Sequence, residues 1–78
     1  LKIDGAFIRR IELSEIELAI VDTINHLAHI MGIATVAESV ENATQLAMLR
    51  QLGVDYAQGF HIAMPQSLEA VLASDGWP

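Results

Sequence analysis

The stretch that decides the fold is IATVAESVENATQLAMLRQLGVDYAQG, residues 33–59. It opens on a continuous apolar, β-branched run, Ile33–Ala37, of the kind that fits a strand buried on both faces. Asn42 and Gln45 then make a capping-box-like start. Leu46, Leu49 and Leu52 give the following helix an apolar stripe, and Gly53 stops it. Val54–Ala57 is a second short strand. Strand, helix and strand with short loops is a crossover unit, which makes parallel sheets and is nearly always right-handed.

Working outward, Leu1–Asp4 reads as a further strand, with Lys2 and Asp4 on one face and Leu1 and Ile3 on the other. Gly5 breaks it. Ser14 is a good N-cap, and Glu17 completes a capping box for a helix from about residue 15 to Met31. Ile16, Ile20, Ile24, Leu27 and Met31 form its apolar stripe, widened by Val21 and Ala28, and Gly32 ends it. Pro65 and Ser67 read as opening a last helix over roughly 67–74, and the tail DGWP as frayed or docked through Trp77. The expected order is β-α-β-α-β-α with parallel strands. Helices on one side of three strands would leave the other side bare, to face further strands in a closed barrel.

Composition bounds the function. The chain has 78 residues, one small domain or part of a larger one, and hydrophobic residues make up 53%. That is greasy for so small a unit, so some apolar surface is expected to meet a partner. A net charge of −6 with only Lys2, Arg9, Arg10 and Arg50 as cations argues against DNA or RNA, which need a basic patch. Cysteine is absent, which removes disulfides, thiolate catalysis and cysteine-based zinc sites. The greasiest stretch, residues 16–37, carries Glu17, Asp22, Asn25, His26 and His29, and does not read as a membrane span. No signal peptide is visible, and a cytoplasmic location is expected. The chain opens at Leu1 without a methionine and reads as a piece of something longer.

Three polar marks fall in or just after the apolar runs: Lys2 and Asp4, Glu38 and Glu41, and Gln58. In a parallel sheet they would converge on one rim, where α/β folds put their active sites. Each also has a plain reading. Lys2 and Asp4 can be an exposed ion pair, Glu41 a charge beside a helix N-terminus, and Gln58 a turn residue before Gly59. Glu38 is harder to dismiss, because it follows an apolar run where a cap is expected, and carboxylates there suit Mg²⁺ or Mn²⁺. His26 and His29 are read as lying on or beside the solvated helix face, His61 as a weak candidate near a ligand, and Met31, Met48 and Met64 as packing residues.

LKIDGAFIRRI, the 33–59 stretch and the following FHIAMP closely resemble the C-terminal part of EAL domains, the bacterial cyclic di-GMP phosphodiesterases. The resemblance implies a TIM-type (β/α)8 barrel, with residues 1–78 its C-terminal fragment and no second domain. It implies hydrolysis of cyclic di-GMP to the linear dinucleotide pGpG with two Mg²⁺ or Mn²⁺ ions. Lys2 would contact the attacking water and scissile phosphate, Glu38 would lie close to the metal-bound water, and Gln58 would hydrogen-bond in the site. Asp4 and Glu41 would support them. Met64 stands where many members have a basic residue, Asn42 replaces a common Thr, and Gly5 a frequent polar or basic residue. The name-giving Glu-Ala-Leu motif and the upstream carboxylates are absent, so the piece alone is expected to bind no metal and to be inactive. Self-association through the bare sheet face is expected. Two alternatives are a degenerate EAL domain acting as a cyclic di-GMP receptor or interaction module, and an independent three-strand α/β domain.

Overall fold

The computed structural model describes residues 1–59 and 62–74. His61 and Trp77, singled out above, lie outside them. In chain order come β1 (Lys2–Ile3), α1 (Gly5–Ile8), α2 (Glu15–Ile30), β2 (Val36–Val40), α3 (Ala43–Leu52), β3 (Tyr56–Gly59), β4 (Ile62–Ser67) and α4 (Leu68–Leu72). The sheet order is β1-β2-β3-β4. β1, β2 and β3 are parallel, as expected. β4 is an unexpected fourth strand and runs antiparallel to β3.

The helix ends follow their local chemistry. Ser14 Oγ accepts from the Glu17 amide at 3.5 Å, at the N-terminus of α2. The reciprocal half of that capping box does not form, because Glu17 Oε1 instead accepts from Arg10 Nε at 3.2 Å. At the other end Gly32 has φ 73°. Gly32 N donates to His29 O and Ile33 N to Ala28 O, at 3.0 and 2.9 Å. Gly53 repeats the device for α3 with φ 85°. A left-handed residue there satisfies the last helical carbonyls, and glycine adopts it without steric cost.

The core is one cluster built from the inward face of the sheet and the helices over it: Ile3, Ala37 and Ala57 meet Ile8, Val21, Leu46, Leu49 and Val71, among others. Strand alternation turns Lys2, Val36 and Tyr56, which are in register with one another, away from that cluster. The packed face of α2 differs from the expected stripe. Val21, Asn25 and Ala28 are its buried residues, whereas Ile16, Leu27 and Met31 are 72%, 57% and 64% exposed. α2 is apolar on more than one side, and its wider apolar face borders an open groove of about 490 Å³ lined by Ile16, Ala19, Ile20, Thr23 and Ile24. The unburied apolar surface therefore lies chiefly on this helix, with Leu1, Ile33, Tyr56 and Met64 the large exposed apolar residues in or beside the strands.

Two strands start later than their apolar runs. β2 begins at Val36, and Ile33 and Ala34 remain exposed below the sheet. β3 begins at Tyr56 rather than Val54. Glu38 and Gln58 consequently sit inside strands rather than just after them. Ser67 caps the last helix as expected, accepting from Ala70 N at 3.2 Å. Pro65 belongs to β4, not to the helix start. β4 is an outer strand of the sheet and Pro65 is exposed, the setting in which a residue without an N–H is tolerated in a sheet.

Candidate active site

Lys2, Glu38 and Gln58 line a single open cavity of about 380 Å³, together with Ser39, Gly59, Ile62 and Ala63. Each of the three comes from a different parallel strand. They share the sheet face turned away from the core, because Lys2, Val36 and Tyr56 are in register and Glu38 and Gln58 lie two residues further along. Lys2 is exposed, and Glu38 and Gln58 are half-buried. Gln58 Nε2, on β3, donates to Ala63 O, on β4, at 3.1 Å. That bond fixes the amide and leaves its second N–H and Oε1 for the cavity.

Close backbone approach shapes the site. A β-carbon on Gly59 would lie 2.1 Å from Val40 O and 2.6 Å from Val40 N. Only a glycine lets β3 come this near to β2, where the pairing shifts register between Ala37 and Val40. Ser39 sits in that irregular segment with φ 62°.

The two supporting candidates lie outside the cavity's lining. Asp4 caps α1, its Oδ1 accepting from Ala6 N at 2.8 Å, and so holds the turn that follows Lys2. Glu41 is exposed, and its backbone amide donates to Gln45 Oε1 at 2.8 Å. The buried Gln45 side chain thus ties down the β2–α3 loop, and the Gln45 backbone N–H donates to Asn42 Oδ1 at 2.8 Å. Asn42 also reaches Glu12 Oε1 through Nδ2 at 2.7 Å, linking the loop to the segment before α2. A threonine there would have no second nitrogen donor to make that link.

A second polar cluster, which the sequence did not disclose, lies at the opposite, N-terminal end of β2 and β3. Buried Thr35 donates through Oγ1 to Asn25 Oδ1 at 2.6 Å. Asp55 Oδ2 accepts from Thr35 N at 2.8 Å and lies 2.7 Å from His29 Nε2. Asn25 Nδ2 donates to Leu52 O at 2.9 Å. His29 therefore has a carboxylate partner rather than only solvent, while His26 is exposed. Partial burial acts to raise the Asp55 carboxyl, but the Thr35 amide, the His29 ring and the Thr35 hydroxyl outweigh it and hold it below its ordinary value. In a parallel sheet this end serves stability, and the other serves chemistry.

The EAL domain family profile matches residues 1–65. Over 67 residues the chain is 43% identical to the cyclic di-GMP phosphodiesterase PdeB of Shewanella oneidensis, covering 86% of this chain and 8% of that protein. It is 46% identical over 68 residues to PdeF of Escherichia coli, covering 87% and 9%. Among solved structures, the EAL enzyme Bd1971 bound to cAMP and cyclic di-GMP superposes with a TM-score of 0.78 at 36% identity, over 92% of this chain and 19% of that one. The PaMucR phosphodiesterase in complex with c-di-GMP gives 0.76 at 35%, over 91% and 29%. A manganese/cyclic di-GMP complex of Klebsiella pneumoniae BlrP1 gives 0.75 at 31%, over 86% and 17%. The chain belongs to the EAL domain family, and its fold is part of that family's (β/α) barrel. It spans about a tenth of the length of the curated relatives it matches.

The donors present do not by themselves suit a pair of divalent ions. The cavity offers one carboxylate, Glu38, and one side-chain amide, Gln58. Among the described residues there is no group of three or more His, Cys, Asp or Glu side chains able to hold a metal. Mg²⁺ and Mn²⁺ are hard cations that favour several oxygen ligands. Among the described residues no helix is long and apolar enough to cross a membrane.

Proposed function

We infer that the full-length protein hydrolyses one phosphodiester of cyclic di-GMP to give linear pGpG, and that Lys2, Glu38 and Gln58 work at the reacting phosphate. The single observation that supports this most is the meeting of an ammonium, a carboxylate and an amide in one open cavity, each from a neighbouring parallel strand. The Lys2 ammonium, a compact charge with three donors, suits a phosphate oxygen and the attacking water. Glu38 accepts a hydrogen bond from that water and orients it. Gln58, anchored at Ala63, offers its remaining donor and acceptor to the ligand. Water adds to phosphorus and gives up a proton to solvent, the bond to the 3′ oxygen breaks, and that oxygen takes a proton from solvent to leave as a hydroxyl. Asp4 supports by fixing the turn after β1, and Glu41 by its place in the β2–α3 loop.

Mg²⁺ or Mn²⁺ would be held mainly by carboxylates outside these residues, with Glu38 reaching an ion only through water. Residues 1–78 alone would accordingly bind no metal pair and turn over no substrate. The acidic chain has no use for DNA or RNA, and the cytoplasm is the compartment in which it would meet its nucleotide. The test is hydrolysis of cyclic di-GMP by the full-length protein with Mn²⁺ present, followed by separation of the nucleotides. Appearance of pGpG is the expected result, and its absence under conditions where cyclic di-GMP binds would make the protein a receptor instead.

A further inference from the structure

Ser39 is the one residue other than glycine with a positive φ among the described residues, at 62°. That backbone region is unfavourable for a residue with a β-carbon and persists only where its surroundings enforce it. Ser39 lies where β2 shifts register against β3, immediately after Glu38, and it lines the same cavity. Irregular pairing of this kind re-aims side chains.

Two neighbours meet the Ser39 side chain. Arg9 Nη1 donates to Ser39 Oγ at 3.4 Å. Gly5 leaves the serine its space: a β-carbon at position 5 would lie 2.2 Å from Ser39 Oγ and 2.7 Å from Ser39 Cβ. Gly5 is buried and opens α1, directly after the Asp4 cap and β1. The contact therefore joins the turn that carries Lys2 to the segment that carries Glu38. A glycine at 39 would adopt the same backbone freely, but would supply neither the β-carbon that fills this space nor the hydroxyl that Arg9 holds.

We propose that Gly5, Arg9 and Ser39 form a lock that sets the direction of Glu38 into the cavity, with Ser39 and Arg9 as positioning residues. This deepens the hydrolytic reading and rests on it. The plain alternative, ordinary packing, would leave Glu38 indifferent to these changes.

The experiment uses the full-length protein with Gly5→Ala, Ser39→Gly, both together, Arg9→Leu and Arg9→Gln. Each is measured for melting temperature, for kcat and KM on cyclic di-GMP, and for hydrogen–deuterium exchange over residues 36–40. Gly5→Ala should melt a few degrees lower and lose about tenfold or more in kcat, with KM changed less than about twofold, since small misplacements of this kind act on the reacting geometry. Adding Ser39→Gly should restore the melting temperature by removing the overlap but leave kcat low, as in Ser39→Gly alone, because the hydroxyl that Arg9 holds is gone. Arg9→Leu should lose kcat and exchange faster over 36–40, and Arg9→Gln, which keeps a donor, should recover much of both. A double variant that melts no higher than Gly5→Ala, full kcat in the double variant or in Ser39→Gly, or melting effects with no change in kcat, would overturn the lock. Should the unaltered protein not hydrolyse cyclic di-GMP, the functional reading falls separately. The lock then stands or falls on the melting cycle and on whether exchange over 36–40 rises in Arg9→Leu and returns in Arg9→Gln. If Gly5→Ala does not fold, the two Arg9 variants carry the same decision.

Discussion

Gly59→Ala is the substitution for which the structure gives the sharpest expectation. The added β-carbon would sit 2.1 Å from Val40 O, 2.6 Å from Val40 N and 2.9 Å from Val40 C. All three are backbone atoms, so no side-chain rotation relieves the clash. Reaching even 3.0 Å from the oxygen requires β2 and β3 to part by about 0.9 Å, starting from the 2.1 Å separation. Forcing strands apart inside a packed unit costs about 1–3 kcal/mol, by analogy with overpacked cores. In the full-length protein, where these strands belong to a barrel of about 250 residues, that lowers the melting temperature by about 2–4 °C for each kcal/mol. The same displacement separates Glu38 from Gln58, and a 1 Å misplacement at a reacting centre costs on the order of a hundredfold in rate. Gly32→Ala is the control. It also needs φ 73°, but nothing lies within 4 Å of its would-be β-carbon. It should cost only the left-handed backbone term, about 1 kcal/mol, with activity unchanged. Thermal melting by circular dichroism and cyclic di-GMP hydrolysis read the two effects separately. If Gly59→Ala melts and turns over like Gly32→Ala, the close approach of β2 and β3 is not what shapes the cavity.

Further expectations follow from the same geometry. Asp55 has its folded-state carboxyl pKa depressed, so its contribution to stability is present at neutral pH and is lost as pH falls through the folded value, below the ordinary carboxylate range near 4; Asp55→Asn should flatten the acid side of a plot of melting temperature against pH. Asn42→Ala removes the α3 cap and the link to Glu12, and should cost about 1–2 kcal/mol in denaturant unfolding. Residues 1–78 on their own should self-associate, chiefly through the exposed apolar face of α2 rather than the more polar sheet face, and a clean monomer in light scattering would count against this.

The helices were legible because their ends are written locally: Ser14 and Gly32 bracket α2, and Asn42 and Gly53 bracket α3. The parallel order followed from the strand–helix–strand spacing. The rim was legible because Lys2, Glu38 and Gln58 are polar residues in or beside apolar runs that one sheet brings level. The packed face of α2 was not, since Ile16, Leu27 and Met31 are as apolar as Val21 and Ala28, and periodicity does not choose between two greasy faces. β4 was hidden because IAMPQS lacks alternation and contains Pro65, which reads as a helix start unless an edge position is known. The Asn25–Thr35–Asp55–His29 cluster depends on residues 10 to 26 positions apart, and Ser39's left-handed backbone has no glycine or asparagine to announce it.

The most direct test of the account is the rate of cyclic di-GMP hydrolysis by the full-length protein carrying Lys2→Ala, Glu38→Gln or Gln58→Ala, compared at equal fold stability. The account expects each to lower kcat, Lys2→Ala and Glu38→Gln by about a hundredfold or more, with melting temperatures close to the parent's. Full activity in any two of the three would mean that the groups gathered in this cavity do not act together on one phosphate.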